Sequence, residues 1–275
     1  MSIPPLVLNQ GNAIPQLGFG VFKIAPDMTQ GIVEEALAAG FRHIDTATGY
    51  HNEAQVGAAI RASGIPRESI FVTTKLWNDD HRAGNARGGF ERSLKALNID
   101  YIDMYLIHWP LPAVDKYVEI WQQLIKIKEE GLTQSIGVCN FQITHLQRII
   151  AETGVAPAVD QVELHPLFQQ KELRLYLDDH DINAEAWGPL GQGRYDLFAY
   201  APLTDAAAAH HKSPAQIVLR WHMQSGTIAI PKAANRDHMD ENLDIFDFEL
   251  TGEEMDAIAS MDTNHRLASD PDDVN

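Results

Sequence analysis

A single (β/α)8 (TIM) barrel spanning residues 1–275 is the fold predicted by the sequence, and three observations lead to it. Short apolar runs begin near His43, Phe71, Tyr101, Gln134, Ala158, Asn183 and Thr227, at intervals of 28, 30, 33, 24, 25 and 44 residues. A strand, a turn, a helix and a second turn take about 30 residues, and an earlier run at 17–21 supplies an eighth strand. The chain length of 275 residues is that of one such barrel, typically about 250. Finally, the competing fold, a doubly wound sheet, announces its nucleotide site with Gly-x-Gly-x-x-Gly after the first strand. Residues 18–23 read Gly-Phe-Gly-Val-Phe-Lys, without the third glycine.

The elements follow in order. Residues 6–15, with Gly11 in their middle, read as two short strands around a turn, a hairpin suited to closing the barrel bottom. Residues 31–39 carry Ile32, Val33, Ala36 and Leu37 at helical spacing. Residues 52–63 form the next helix, with Val56, Ala59 and Ile60 on one face. After Lys116, the stripe Trp121, Leu124, Ile125 and Lys128 marks a helix ending at Gly131, and Gly154, Gly226 and Gly252 punctuate later units. The 44-residue interval holds a glycine-rich loop, 188–194. No linker or low-complexity segment interrupts the pattern.

Composition narrows the function. The net charge of −17 works against nucleic acid and anionic membranes as partners, and any anionic ligand requires a locally basic site. Cys139 is the only cysteine, so no intrachain disulfide can form. The start of the chain lacks the basic residues and long apolar stretch of a signal peptide. The expectation is a cytoplasmic monomer with a small-molecule substrate. The histidines, including His43, His81, His145 and His180, show no metal-ligand spacing, and the pair His210-His211 reads as surface; no metal site is expected.

Four reactive residues lie at or just past the ends of three successive runs: Asp45 and Tyr50, Lys75, and His108. Barrel catalytic groups sit at the C-terminal strand ends, so the four converge at one mouth. They are suited to reducing a carbonyl. A tyrosine phenol, with a pKa of about 10, can deliver a proton if a neighbouring Lys75 cation lowers that pKa. Asp45 pairs with Lys75, and His108 orients the substrate oxygen. No side chain supplies a hydride, so a nicotinamide cofactor is implied. Each residue alone also has a bland reading, as a structural ion pair or a satisfied buried histidine, and a strand-end lysine equally suits a Schiff-base aldolase.

At this point the motifs resemble the aldo-keto reductase family. The resemblance is carried by Asp45-Thr-Ala-Thr-Gly-Tyr50-His-Asn-Glu53 with Val56-Gly57, Thr74-Lys75-Leu-Trp77, Leu106-Ile-His108-Trp-Pro110 and Ser135-Ile-Gly-Val-Cys-Asn-Phe141. It implies a barrel that binds NADPH without a Rossmann fold, with Asp45, Tyr50, Lys75 and His108 as catalytic tetrad. It further implies that Asn140 and Gln161 hold the nicotinamide amide, with Cys139 beside them, and that Trp187 stacks on the ring. Gly188, Leu190, Gly191 and Gln192 follow the pyrophosphate. Lys232, Ala233, Asn235, Arg236, His238, Glu241 and Asn242 surround the adenosine phosphate. Phe22, Trp77, His108 and Trp109 shape the substrate pocket, with the tail from Arg266 as one wall. The implied reaction is reduction of 2,5-diketo-D-gluconate to 2-keto-L-gulonate. Alternatives are a general aldehyde and α-keto ester reductase, or a cofactor-sensing regulatory barrel.

The chain departs from the family where the adenosine phosphate is read. The family usually has Pro-Lys-Ser and an arginine five residues on; this chain has Pro231-Lys232-Ala233 and His238. Losing a bidentate guanidinium weakens discrimination against a cofactor without the phosphate, so acceptance of NADH is expected. Cys139 likewise stands where the family usually has serine.

Overall fold

The computed structural model describes residues 3–275. A hairpin of β1 (Pro5–Val7) and β2 (Ala13–Pro15) precedes eight parallel strands: β3 (Phe19–Gly20), β4 (His43–Asp45), β5 (Phe71–Leu76), β6 (Ile102–Ile107), β7 (Thr133–Cys139), β8 (Val159–Glu163), β9 (Asn183–Trp187) and β10 (Ile228–Ile230). Each pairs with its sequence neighbours, from β3 through to β10. The ring is closed by a parallel bridge between Leu17 and Ala229, where Gly18 N–H donates to Ala229 O and Ala229 N–H to Gln16 O, both at 2.9 Å.

Most predicted elements start within one residue of their expected positions. The exceptions are β3, which covers only Phe19–Gly20 of the run at 17–21, and the first helix, which runs Pro26–Ala39 rather than from residue 31. Proline opens a helix because its ring presets the backbone and its missing N–H would be unpaired there anyway, and Asp27 adds a favourable charge in the same turn. The long interval before β10 holds two helices, Ala201–His210 and Pro214–Gln224. His210 is partly buried rather than a surface residue: its Nε2 lies 3.0 Å from Glu254 Oε1, and its ring packs on Phe248.

The hairpin closes the end of the barrel where the strands begin. Leu8 and Ile14 are buried with Phe71, Met104, Val159 and Ile228. Asn9 Nδ2 donates to Pro157 O at 2.8 Å and Gln10 Nε2 to Ile136 O at 3.1 Å. The Asn9 bond gives Pro157 O a donor under the plug, while Ile136 O also accepts from Ala158 N–H at 2.9 Å. The larger apolar core lies between strands and helices; Trp121 and Leu124 of the helix Tyr117–Glu129 are fully buried in it. No helix among the described residues is long and apolar enough to cross a membrane.

Strand residues two apart share a face, which aligns His43 with Asp45 and Thr73 with Lys75 inside the barrel. His43 Nε2 lies 3.0 Å from Thr73 Oγ1 and 3.9 Å from Glu185 Oε1. Burial pushes the His43 pKa down to about 4, against a smaller opposing pull from Asp45. Burial likewise raises Glu185 to about 8. At neutral pH the imidazole is therefore uncharged.

Helix Glu53–Ala62 presses against the end of helix Ala86–Leu97 at Gly57. A Cβ at Gly57 would lie 1.8 Å from Leu97 O, a backbone atom. Gly57→Ala is expected to destabilise the protein by about 3 kcal/mol, read as a lower midpoint in equilibrium urea unfolding.

Candidate active site

Asp45 ends β4 and Lys75 lies near the end of β5. Their register brings the two side chains together: Lys75 Nζ lies 2.6 Å from Asp45 Oδ1 and 2.7 Å from Oδ2, and it also donates to Thr46 O at 2.9 Å. Both residues are buried, Lys75 completely. All three ammonium hydrogens are thus used. Burial alone would lower the Lys75 pKa, but Asp45 and, more weakly, Tyr50 raise it overall, so the cation persists.

Tyr50 sits on a turn of 3-10 helix, Thr48–Tyr50, just past β4. Its ring lies 5.2 Å from Lys75 Nζ, 4.9 Å from the Phe22 ring and 5.7 Å from the His108 ring. His108 also meets the Trp77 ring at 5.2 Å. The sequence reading expects Lys75 to lower the pKa of the Tyr50 phenol towards neutral pH. The structure corrects this: enclosure raises the Tyr50 pKa by more than Lys75 lowers it. The phenol is held protonated, and Lys75 opposes this chiefly through its charge. Burial lowers the His108 pKa strongly, and Lys75 adds to this, leaving a neutral imidazole.

Asp45, Tyr50 and His108 form the floor of a cavity of about 540 Å³, and Lys75, fully buried, is not part of its lining. Phe22, Trp77, Trp109 and Trp187 line it, together with Asp45, Tyr50, His108, Asn140 and Gln161. Asn140 follows β7 with a left-handed φ of 60°, which asparagine tolerates better than most residues. Its amide is engaged at both ends: Nδ2 donates to His108 O at 3.0 Å, and Oδ1 accepts from Trp187 Nε1 at 2.8 Å. Gln161 Nε2 donates to Asp45 Oδ2 at 2.8 Å, a link the motif reading does not contain. Gly188, Leu190 and Gln192 continue the lining to Lys232. Gly188, Gly191 and Gly193 all have positive φ, between 61° and 71°, where a side chain would strain the backbone.

The remaining expected cofactor residues lie outside this lining. Cys139, Gly191, Ala233 and Asn242 are buried. Asn235 caps the helix Arg236–Leu243, accepting from His238 N–H at 2.9 Å. Arg236 pairs with Asp240, and His238 Nδ1 lies 3.2 Å from Glu241 Oε2. This exposed helix start stands beyond Lys232 at the rim. The cavity in turn contains groups the sequence reading did not assign: Gly20, Lys23, Pro189, Gly193, Arg194, Ile230, Pro231 and Ala268. Lys23 ends the stretch 18–23 and Arg194 the glycine-rich loop 188–194, but nothing in the sequence aims them inward. Ala268 belongs to the tail expected to form a wall.

A floor with a buried ion pair under a protonated phenol, walled by aromatic rings, is suited to proton transfer to a small polar ligand. Comparison with known proteins agrees with that chemistry. Residues 16–263 match the model of the Aldo/keto reductase family. The chain belongs to the aldo/keto reductase family. The reductase is 48% identical to the methylglyoxal reductase DkgA of Escherichia coli (strain K12) over 273 residues, covering 99% of this chain and 98% of that protein. It superposes on the aldo/keto reductase of Brucella melitensis with TM-score 0.92 at 53% identity, covering 95% and 99% of the two chains. A Gox0644 mutant solved in complex with NADPH matches with TM-score 0.95 at 41% identity over the full length of both.

The buried pair ties this reductase's stability to its site. Lys75→Met strands the Asp45 carboxylate in the core and is expected to cost about 3 kcal/mol. Adding Asp45→Leu should restore most of that loss in chemical denaturation, although not the activity.

Proposed function

We propose that this reductase uses NADPH to reduce small dicarbonyl compounds, with methylglyoxal and 2,5-diketo-D-gluconate as the substrates to test first. The observation that carries the reading is the protonated Tyr50 phenol on the cavity floor, with the Lys75 cation beneath its ring and His108 beside it. Support for the substrate class comes from the methylglyoxal reductase relative, and for the cofactor from the NADPH-bound Gox0644 structure. The reading takes residues 1–275 as one barrel domain acting as a cytoplasmic monomer.

The donor set suits a nicotinamide cofactor. The Asn140 and Gln161 carboxamides border the cavity next to Trp187, whose indole is fixed by its bond to Asn140. The glycine-rich loop offers backbone N–H groups, and Lys232 stands at the far rim as a cation for a phosphate. When bound, NADPH supplies the hydride. Tyr50 gives its proton to the substrate oxygen, and Lys75 stabilises the phenolate left behind. Asp45 holds Lys75 in place, while Gln161 helps hold Asp45. Neutral His108 orients the oxygen, and the aromatic walls keep water from the reacting carbon.

Initial rates with NADPH and methylglyoxal or 2,5-diketo-D-gluconate test this directly. Tyr50→Phe is expected to lower kcat/KM about 10³-fold; an unchanged rate would remove Tyr50 from the chemistry. Turnover of a wide range of aldehydes and α-keto esters, with neither dicarbonyl preferred, would favour the general reductase instead.

The phosphate rim has its own test. Buried Ala233 offers no hydroxyl and His238, paired to Glu241, no guanidinium, while the Arg236 guanidinium is paired to Asp240. The double variant Ala233→Ser, His238→Arg is expected to raise the ratio of kcat/KM for NADPH over NADH about tenfold.

A further inference from the structure

Glu163, the last residue of β8, is 1% exposed and stands apart from the Asp45, Tyr50, Lys75 and His108 array. A buried carboxylate must find donors, and this one finds them on a distant part of the chain. Oε1 accepts from Leu267 N–H at 2.5 Å and Oε2 from Ala268 N–H at 3.0 Å, while His165 Nε2 lies 3.2 Å from Oε1. Burial pushes the carboxyl pKa up, but His165 and the two N–H groups bring it, on balance, below the usual range. The Glu163 charge is therefore kept.

What Glu163 grips has no helix or strand of its own: the chain from Asp262 to the end consists of turns and coil. Ala268, one of the two gripped residues, lines the cavity. Arg194 of the glycine-rich loop donates to Leu267 O from the other side. Tyr195 packs on His165 at 5.4 Å and occupies the space a Cβ at Gly191 would need. The wall at Leu267 and Ala268 is thus held by this carboxylate and braced by the loop across the cavity, while Gln142, His145, Arg82 and Ala113 anchor the residues that follow.

We propose that Glu163 is a positioning residue for the substrate: by latching Leu267 and Ala268 it fixes the tail as a wall of the pocket, and so sets affinity for the carbonyl compound without touching the reacting atoms. This rests on the function proposed above. A carboxylate is the suitable group because two successive N–H donors need two acceptor oxygens in one plane. Glutamine retains one acceptor, and alanine retains none.

Two measurements on the full chain test the latch: amide hydrogen exchange across residues 262–275, and steady-state kinetics with methylglyoxal at saturating NADPH. In Glu163→Ala, Leu267 and Ala268 should exchange about tenfold faster and KM for methylglyoxal should rise about tenfold, with kcat within about twofold. Glu163→Gln should fall between the two in both readouts, and it carries the comparison if the alanine variant does not fold. Equal exchange in wild type and variants, or faster exchange with an unchanged KM, overturns the proposal. So does a loss confined to kcat. If Tyr50→Phe leaves turnover intact, the functional reading fails, and the exchange data alone decide whether the latch exists.

Discussion

The buried contact between Lys75 and Asp45 is the constraint on which the rest of the site depends. An ammonium and a carboxylate removed from water are costly unless every hydrogen and lone pair is met at close range. Here two strands must hold register, the Thr46 carbonyl must face inward, and Gln161 must reach over from β8 to complete Asp45. Once those conditions hold, the position of Tyr50 is nearly determined, because its turn leaves β4 just beyond Asp45. The pair is thus both a structural clamp between strands and the source of the charge beneath the phenol.

The barrel separates this demanding chemistry from the task of holding together. Apolar side chains face the helices and make the larger core, while the inner faces of the strands carry His43, Asp45, Lys75, Gln161 and Glu185. The hairpin seals one end with Leu8 and Ile14, so the polar interior opens only at the other. A net charge of −17 would repel an anionic cofactor at long range, yet Lys23, Arg194 and Lys232 are the cations that border the cavity. Local placement thereby offsets the global charge where it matters.

Much of this was legible in the sequence because strand ends are. Asp45, Lys75 and His108 each follow an apolar run, and parallel strands of equal spacing bring their ends together. Residues that act through loops and helix starts were less legible. The resemblance assigned Asn235, Arg236, His238, Glu241 and Asn242, which lie outside the cavity lining, with Arg236 and His238 engaged by acidic neighbours. The pKa of Tyr50 was misjudged for a related reason: a sequence shows which charge is near, not how thoroughly water is excluded. Glu163 was not legible because a lone glutamate in a strand carries no pattern, and the two N–H groups it holds lie over a hundred residues away.

The sealed hairpin also makes the two ends of the chain unequal for anyone attaching cargo. Material fused ahead of Pro5 would hang beneath the plugged end, away from the cavity. The final residue lies against Arg82 and Ala113, whose N–H donates to Asn275 Oδ1, and it closes the segment that carries Ala268 into the cavity wall. An affinity tag or a surface tether therefore belongs at the beginning of this protein, where it leaves the entrance free.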